Sequence, residues 1–380
     1  MEHLPYGTQW LDEEDIQALV ETARSPRITS GPKTKEFEQR LCERTGAKFA
    51  VVMNSGTSAL HGSYFAAGVR PGDEVITSPM TFAATANAAL YLGARPVFTD
   101  IHYISGNMNP NLLDKAITNK TRAIVPVDYA GRPADLEPII ELARNYGLPV
   151  IEDAAHSLGA TYKGKAVGAI ADMTILSFHP VKHITTGEGG AVLTDNEHFY
   201  RKLLAFRSHG IVKDPAVMTE NHGPWYYEMH SLGYNYRMTD LQCALGISQL
   251  GKLDSFLDKR RALAREYHQQ LSMLRDFIDL PDMSQLSASS WHLFVIKVKK
   301  GARERKRLFE ALQAERIGVQ VHYIPVYWHP FYRHMNYQKG ICPVAEALYE
   351  RAISLPLFPK MTARDLERVV SVLVNFFSGG

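Results

Sequence analysis

Residues 49–68 read FAVVMNSGTSALHGSYFAAG, and the fold turns on how this stretch divides. FAVVM is a short apolar run of the kind that makes a buried strand, NSG is a turn, and TSALHGSYFAAG carries helical spacing up to a glycine stop. The same grammar recurs downstream. Strands are expected at EVIT (74–77), PVFTD (96–100), RAIVPV (122–127), PVIED (149–153) and TILSF (174–178). Helices are expected over AATANAALYLGA (83–94) and DLEPIIELARNYG (135–147), the last stopped by Gly147. Alternation of this kind from residue 49 to about 195 specifies βαβ units, hence an α/β fold with a mostly parallel central sheet covered on both faces.

Beyond residue 195 the pattern lengthens into helix, notably MTDLQCALGISQLGKLDSFLDKRRALAREYHQQL (238–271), with a break expected near residue 250. The remainder joins a strand-like WHLFVIKV (291–298), a helix after Ala302, a strand-like GVQVHY (318–323) and a closing helix MTARDLERVVSVLVNFF (361–377). This reads as a large unit over residues 1–250 and a smaller α+β unit over 251–380.

The 45% apolar and 22% charged fractions are those of a globular chain, and 42 Lys plus Arg against 40 Asp plus Glu leaves a net charge of only +2. That balance gives no strong field to recruit nucleic acid or an anionic membrane. The opening MEHLPYGTQWLDEED is acidic where a signal peptide would be apolar, and no run is long enough to span a bilayer, so a cytoplasmic enzyme is expected. Cys42, Cys243 and Cys342 lack a C-x-x-C pair and read as buried free thiols, with no metal site indicated.

Ligands of such sheets bind beyond the carboxyl ends of the strands, where the chemistry-bearing residues fall. Gly56, Thr57 and Ser58 follow a strand and open a helix, so they are either plain caps or an anion cradle. Asp153 ends PVIED; it caps a helix, sits as a surface acid, or holds a protonated heterocyclic nitrogen. Lys182 lies in SFHPVKHITTGEGGAV (177–192) between Ser177 and a glycine cluster, where a desolvated amine can form a Schiff base with an aldehyde. His179 and His183 are four apart, but Pro180 between them and the missing glutamate argue against a zinc pair. Together, cradle, acid and amine are the set that pyridoxal phosphate requires.

The segments LPYGTQWLDEEDIQALVETARSPRITSGPKTKEFE, NSGTSAL, VIEDAAHSLGA, SFHPVKHITTGEGGAVLT, FRSHGI and GYNYRMTDLQCALGISQL resemble, nearly end to end, the DegT/StrS-type nucleotide-sugar aminotransferases. The resemblance implies the aspartate-aminotransferase-like fold of type I, with pyridoxal phosphate as cofactor cycling through pyridoxamine phosphate. By position, Lys182 would be the Schiff-base lysine, Asp153 the carboxylate on the pyridinium nitrogen, and Phe82 the ring stacked on the cofactor. Gly56, Thr57, Ser58 and Ser177 would line the phosphate side, and His156 would face the ring's oxygen side. Asn235 would reach the neighbouring subunit's cofactor, which implies a homodimer. Tyr6, Pro26, Arg27, Ile28, Thr29, His322, Tyr323, Ile324 and Pro325 would bind the nucleotide sugar.

VDYAG, SFHPVKHITTGEGG and QVHYIPVYWHPFY most resemble the branch that aminates C4 of a UDP-linked 4-keto-6-deoxy-N-acetylhexosamine, with L-glutamate as donor. Its product is UDP-4-amino-4,6-dideoxy-N-acetyl-β-L-altrosamine, for pseudaminic acid synthesis. The alternatives are an aminotransferase for another UDP- or dTDP-ketosugar and a non-catalytic cofactor-binding regulator. His183 departs from the proline often found at that position. Lys182 in register argues against the dehydratase branch, which carries histidine there. Tyr327 and Trp328 read as packing, and Arg260, Arg261 and Arg265 as a solvated helix face.

Overall fold

The computed structural model describes residues 2–378. The strand-turn-helix stretch at residue 49 becomes β1 (Phe49–Met53) followed by a helix over Gly56–Ala66. The turn between them is fixed by a reciprocal capping box: Ser55 Oγ accepts from Ser58 N, and Ser58 Oγ accepts from Ser55 N, each at 3.0 Å. Downstream follow β2 (Glu74–Thr77), β3 (Arg95–Phe98), β4 (Thr121–Val125), β5 (Ile151–Asp153), β6 (Met173–Ser177) and β7 (Gly190–Thr194).

These strands form two ladders, β1-β7-β6-β5 and β3-β2-β4. Parallel bridges from Ile124 to Val150 and from Val127 to Asp153 join them into one sheet. The β2-β3, β2-β4 and β5-β6 pairings are parallel, while β7 runs antiparallel to both of its neighbours.

Side chains alternate across this sheet as a strand demands. Val51, Met53, Val75, Val125 and Ile175 face the helices over 56–66 and 83–91. Val52, Leu176, Ala191 and Leu193 face Phe37, Leu41, Cys243 and Leu257 on the other side. Each fully buried aliphatic side chain contributes roughly 1.5–3 kcal/mol. The sheet is therefore clamped between two apolar layers, and only its strand ends are left for polar chemistry.

A second, antiparallel sheet pairs Ile278–Asp279, Phe294–Val298 and Ala352–Leu355. The helices over 302–314 and 363–378 cover it through Leu308, Leu312, Val369 and Leu373. The chain's beginning packs here too: Leu4 belongs to this core and bridges Ile317. No helix among the described residues is long and apolar enough to cross a membrane.

Several elements differ from the sequence reading. The glycine-bounded loop after Lys182 ends in a buried strand, β7, that the reading missed because two of its flanking residues are glycine. GVQVHY forms no strand; only Gln320 bridges Ser354. The break expected near residue 250 is present: the long helical pattern is two helices, Asp240–Gly251 and Leu253–Gln270, separated at Lys252. Arg260 is buried, at 1% exposure, rather than lying on a solvated face. Cys243 and Cys342 are buried, but Cys42 is only half-buried.

The strand ends are close-packed around small residues. A Cβ on Gly190 would lie 2.6 Å from the Gly56 nitrogen, and one on Gly56 would lie 3.2 Å from Ser177 Cβ. Gly190→Ala is accordingly expected to force β7 away from the start of the helix at Gly56, costing about 1–3 kcal/mol. Urea denaturation of the two proteins measures this; an unchanged midpoint would show that the contact yields.

Candidate active site

Gly56, Asp153, Ser177 and Lys182 all emerge at the carboxyl edge of the main sheet, because β1, β5 and β6 end there and run the same way. Asp153 is the last residue of β5 and is buried. Its Oδ2 accepts from Thr85 Oγ1 at 2.7 Å, and its Oδ1 from the Ala155 amide at 3.2 Å. Thr85 is itself paired with Thr81 at 2.7 Å. Burial raises the Asp153 carboxyl above its ordinary range, opposed by the Thr85 and Ala155 hydrogen bonds and the nearby Lys182 charge.

Lys182 is half-buried, with its amine withdrawn from water. Desolvation lowers it to about 8, against the attraction of Asp153 and with the Arg260 charge pushing the same way as burial. An amine so lowered sheds its proton near neutral pH and becomes a usable nucleophile and base.

Four buried imidazoles surround this pair. The His156 ring lies 4.2 Å from that of His292, which lies 5.5 Å from that of His183. Burial, reinforced by the Lys182 charge, holds His156, His183, His292 and His322 well below the usual histidine range, so all four are neutral at pH 7. His156 Nε2 pairs with the Tyr323 hydroxyl at 3.0 Å, whereas its Nδ1 is buried with no partner. His183 Nε2 meets the Ser290 carbonyl at 3.2 Å, and His322 Nδ1 meets Ser354 Oγ at 2.8 Å.

The structure brings Tyr6, His322 and Tyr323 to the same cleft: the Tyr6 and His322 rings are 5.6 Å apart, and Tyr323 lies 6.5 Å from Phe82. Phe82 caps the helix over 83–91 and is 65% exposed. Gly56 and Thr57 are half-buried, while the Ser58 hydroxyl is engaged in the capping box. Ile324 is exposed and Pro325 buried. Pro26, Arg27, Ile28 and Thr29 stand apart as an exposed turn, tied through Thr29 to Thr239 and through the Ile28 carbonyl to the Asp240 amide. Asn235 is exposed, its carbonyl 3.5 Å from Asn54 Nδ2.

Sequence reasoning missed Thr85, His292 and Arg260. Thr85 sits in an alanine-rich helix with no motif around it, and His292 lies inside a strand-like apolar run. Arg260 sits in a basic stretch that looks solvated, yet its Nη1 donates to the carbonyls of Trp291, His292 and Leu357.

Residues 9–374 match the DegT/DnrJ/EryC1/StrS aminotransferase family. The chain belongs to that family. It is 41% identical over 376 residues to the UDP-4-amino-4,6-dideoxy-N-acetyl-beta-L-altrosamine transaminase of Campylobacter jejuni, covering 98% of this chain and 97% of that one. Helicobacter pylori PseC, an aminotransferase involved in the biosynthesis of pseudoaminic acid, superposes with a TM-score of 0.92 at 34% identity, over the full length of both chains. The putative sugar aminotransferase Spr1654 of Streptococcus pneumoniae aligns in its PMP form with a TM-score of 0.92 at 31% identity, over 99% of both chains. Its PLP form aligns at 0.91 and 30%, over 100% of this chain and 99% of that one.

As a DegT/DnrJ/EryC1/StrS aminotransferase, the protein is a sugar aminotransferase dependent on pyridoxal phosphate. The residues of the cleft fit that group. The Lys182 amine is desolvated beside Asp153, Gly56 and Thr57 open a helix at the same sheet edge, and His156 Nδ1 is a buried polar atom without a partner.

The lowered Lys182 has a consequence for the cofactor-free protein. A lysine held at about 8 when folded and at its ordinary value when unfolded destabilises the fold below pH 8, and the penalty fades as pH rises toward the ordinary lysine range. Lys182→Met is therefore expected to melt higher than the parent at pH 7, with the gap closing as pH is raised above 8. Melting curves of both apo-proteins against pH measure this; parallel curves would mean the amine is not desolvated.

Proposed function

We propose that the enzyme moves an amino group from L-glutamate to C4 of a UDP-linked 4-keto-6-deoxy-N-acetylhexosamine, giving UDP-4-amino-4,6-dideoxy-N-acetyl-β-L-altrosamine for pseudaminic acid synthesis. The observation that carries the chemistry is a desolvated Lys182 amine beside a buried Asp153 at the strand ends. What supports the sugar is the 41% identity to the C. jejuni transaminase and the full-length likeness to PseC.

Pyridoxal phosphate, when bound, supplies an electron-accepting ring that carries the amino group from donor to acceptor. In this reading Lys182 would hold the cofactor, and as a free amine it would move a proton at the carbon that gains or loses nitrogen. Asp153, oriented by Thr85 and the Ala155 amide, holds the proton on the ring nitrogen. Gly56 and Thr57 offer helix-start amides to the phosphate, where the dipole favours an anion, with Ser177 alongside. Phe82, exposed at the helix start, would pack against the cofactor, and His156 would offer it the unpartnered Nδ1. Tyr323, bonded to His156, couples the sugar segment Tyr6 and His322–Pro325 to the cofactor side.

We also propose a homodimer in which Asn235 serves the partner's site and Pro26–Thr29 complete the nucleotide-sugar pocket. The reading is supported by the exposure of Trp225, Met229 and Leu232, at 74%, 66% and 71%, on the segment leading to Asn235. Apolar groups so exposed call for cover.

Lys182→Ala is expected to abolish amino-sugar formation, at least a thousandfold, while leaving the fold intact by circular dichroism. The decisive assay supplies L-glutamate and a panel of UDP- and dTDP-linked ketosugars, with products read by mass spectrometry and NMR. Amination of the UDP-linked 4-keto-6-deoxy-N-acetylhexosamine with the altro configuration supports the proposal; exclusive use of another ketosugar overturns the substrate and leaves the chemistry.

A further inference from the structure

Two carboxyls directly behind the site have no part in the reaction proposed above. Glu152 precedes Asp153 on β5, and Asp128 follows β4; both have 0% exposure. Strand alternation puts Glu152 on the opposite sheet face from Asp153, beside Thr174, whose hydroxyl donates to Glu152 Oε2 at 2.9 Å. Glu152 Oε1 is buried and receives no donor from any other described residue. Asp128 accepts from the Ala134 amide at 2.8 Å through Oδ1 and from Ser157 Oγ at 2.5 Å through Oδ2. The two carboxyls lie within hydrogen-bonding reach of each other, and the groups acting most strongly on them include Asp153 but no cation.

Two bare carboxylates in such a place would repel each other with neither water nor a counter-ion to relieve them. A carboxyl proton between them removes the repulsion and gives the orphaned Oε1 its partner. We infer that Glu152 stays protonated at neutral pH and donates to Asp128, so that the pair carries one negative charge and Asp128 acts as a positioning residue for the site. Desolvation and the neighbouring Asp128 act in the direction this requires, raising Glu152 well above the ordinary glutamate range.

Asp128 is the hub through which this proton reaches the chemistry. Its Ser157 partner adjoins His156. Its chain neighbour Tyr129 donates through its hydroxyl to the His322 carbonyl. Its own amide donates to the Asp153 carbonyl at 3.1 Å. The shared proton also limits the charge beside Asp153, whose ionised form is the one that can hold a protonated ring nitrogen. The charge that acts on Asp153 from the other side is that of Lys182. In this last respect the inference rests on the proposed reading of Asp153; the protonation itself does not.

Infrared spectra of the cofactor-free protein at neutral pH test it directly, so a failed amino-transfer assay would leave the answer untouched. A buried carboxylic-acid C=O band is expected in the parent and absent in Glu152→Gln. The glutamine amide can donate the same hydrogen bond, so Glu152→Gln should melt near the parent in the ordinary glutamate range, where the unfolded parent also keeps its proton, and Glu152→Ala well below it. Because Glu152 takes up a proton on folding, the parent should lose stability relative to Glu152→Gln as pH rises from the ordinary glutamate range through neutrality. Absence of the acid band from the parent overturns the inference without recourse to any variant, and so do parallel pH–melting curves for the parent and Glu152→Gln.

Discussion

The structure depends on removing one ammonium from water. Lys182 leaves β6 on a turn enclosed by buried imidazoles and a buried guanidinium, and only Asp153 opposes the desolvation. A lysine in water holds its proton far above neutrality and can neither attack a carbonyl nor accept a proton from carbon. The surrounding architecture resolves that. The sheet brings the acid and the amine to one edge, and the segment leading into the second sheet supplies the wall, through Trp291, His292 and the Ser290 carbonyl that meets His183.

That wall is chemically quiet. Four imidazoles in one cleft suggest proton traffic, yet burial and the Lys182 charge keep them neutral. They act as polarisable packing that offers hydrogen bonds without adding charge, leaving Lys182 as the base whose proton is labile near neutral pH. Tyr323 ties this wall together by its bond to His156, which links the segment proposed to hold the sugar to the residue proposed to face the ring. Buried polar networks of this kind are stabilising only when their members are satisfied. His156 Nδ1 and His292 Nδ1, both buried without a partner, are exceptions.

The carboxyl side of the site is organised by the same rule in reverse. Asp153, Glu152 and Asp128 are crowded at the ends of β4 and β5 without a paired arginine. The fold tolerates them by spending hydrogen bonds from Thr85, Thr174, Ser157 and the Ala134 amide. Acid and amine are thus each held at a disfavoured protonation balance by neighbours on different elements.

The sequence by itself determined the strand-turn-helix rhythm from residue 49 to β6, and with it the edge on which Gly56, Asp153, Ser177 and Lys182 lie. Those are local matters: apolar alternation, a Ser55–Ser58 cap, a glycine stop at residue 147. It did not disclose β7, whose glycines look like a turn until Gly190 is seen pressed against Gly56. Nor did it disclose the buried state of Arg260, which sits in a run of basic residues on a helix. Tertiary structure alone decided that Thr85 orients Asp153, that His292 backs His156, and that Tyr129 supports His322. Each of these contacts joins residues tens to hundreds of positions apart, and which side chains meet across such separations is set by the packing of sheets and helices, a property that no local pattern encodes.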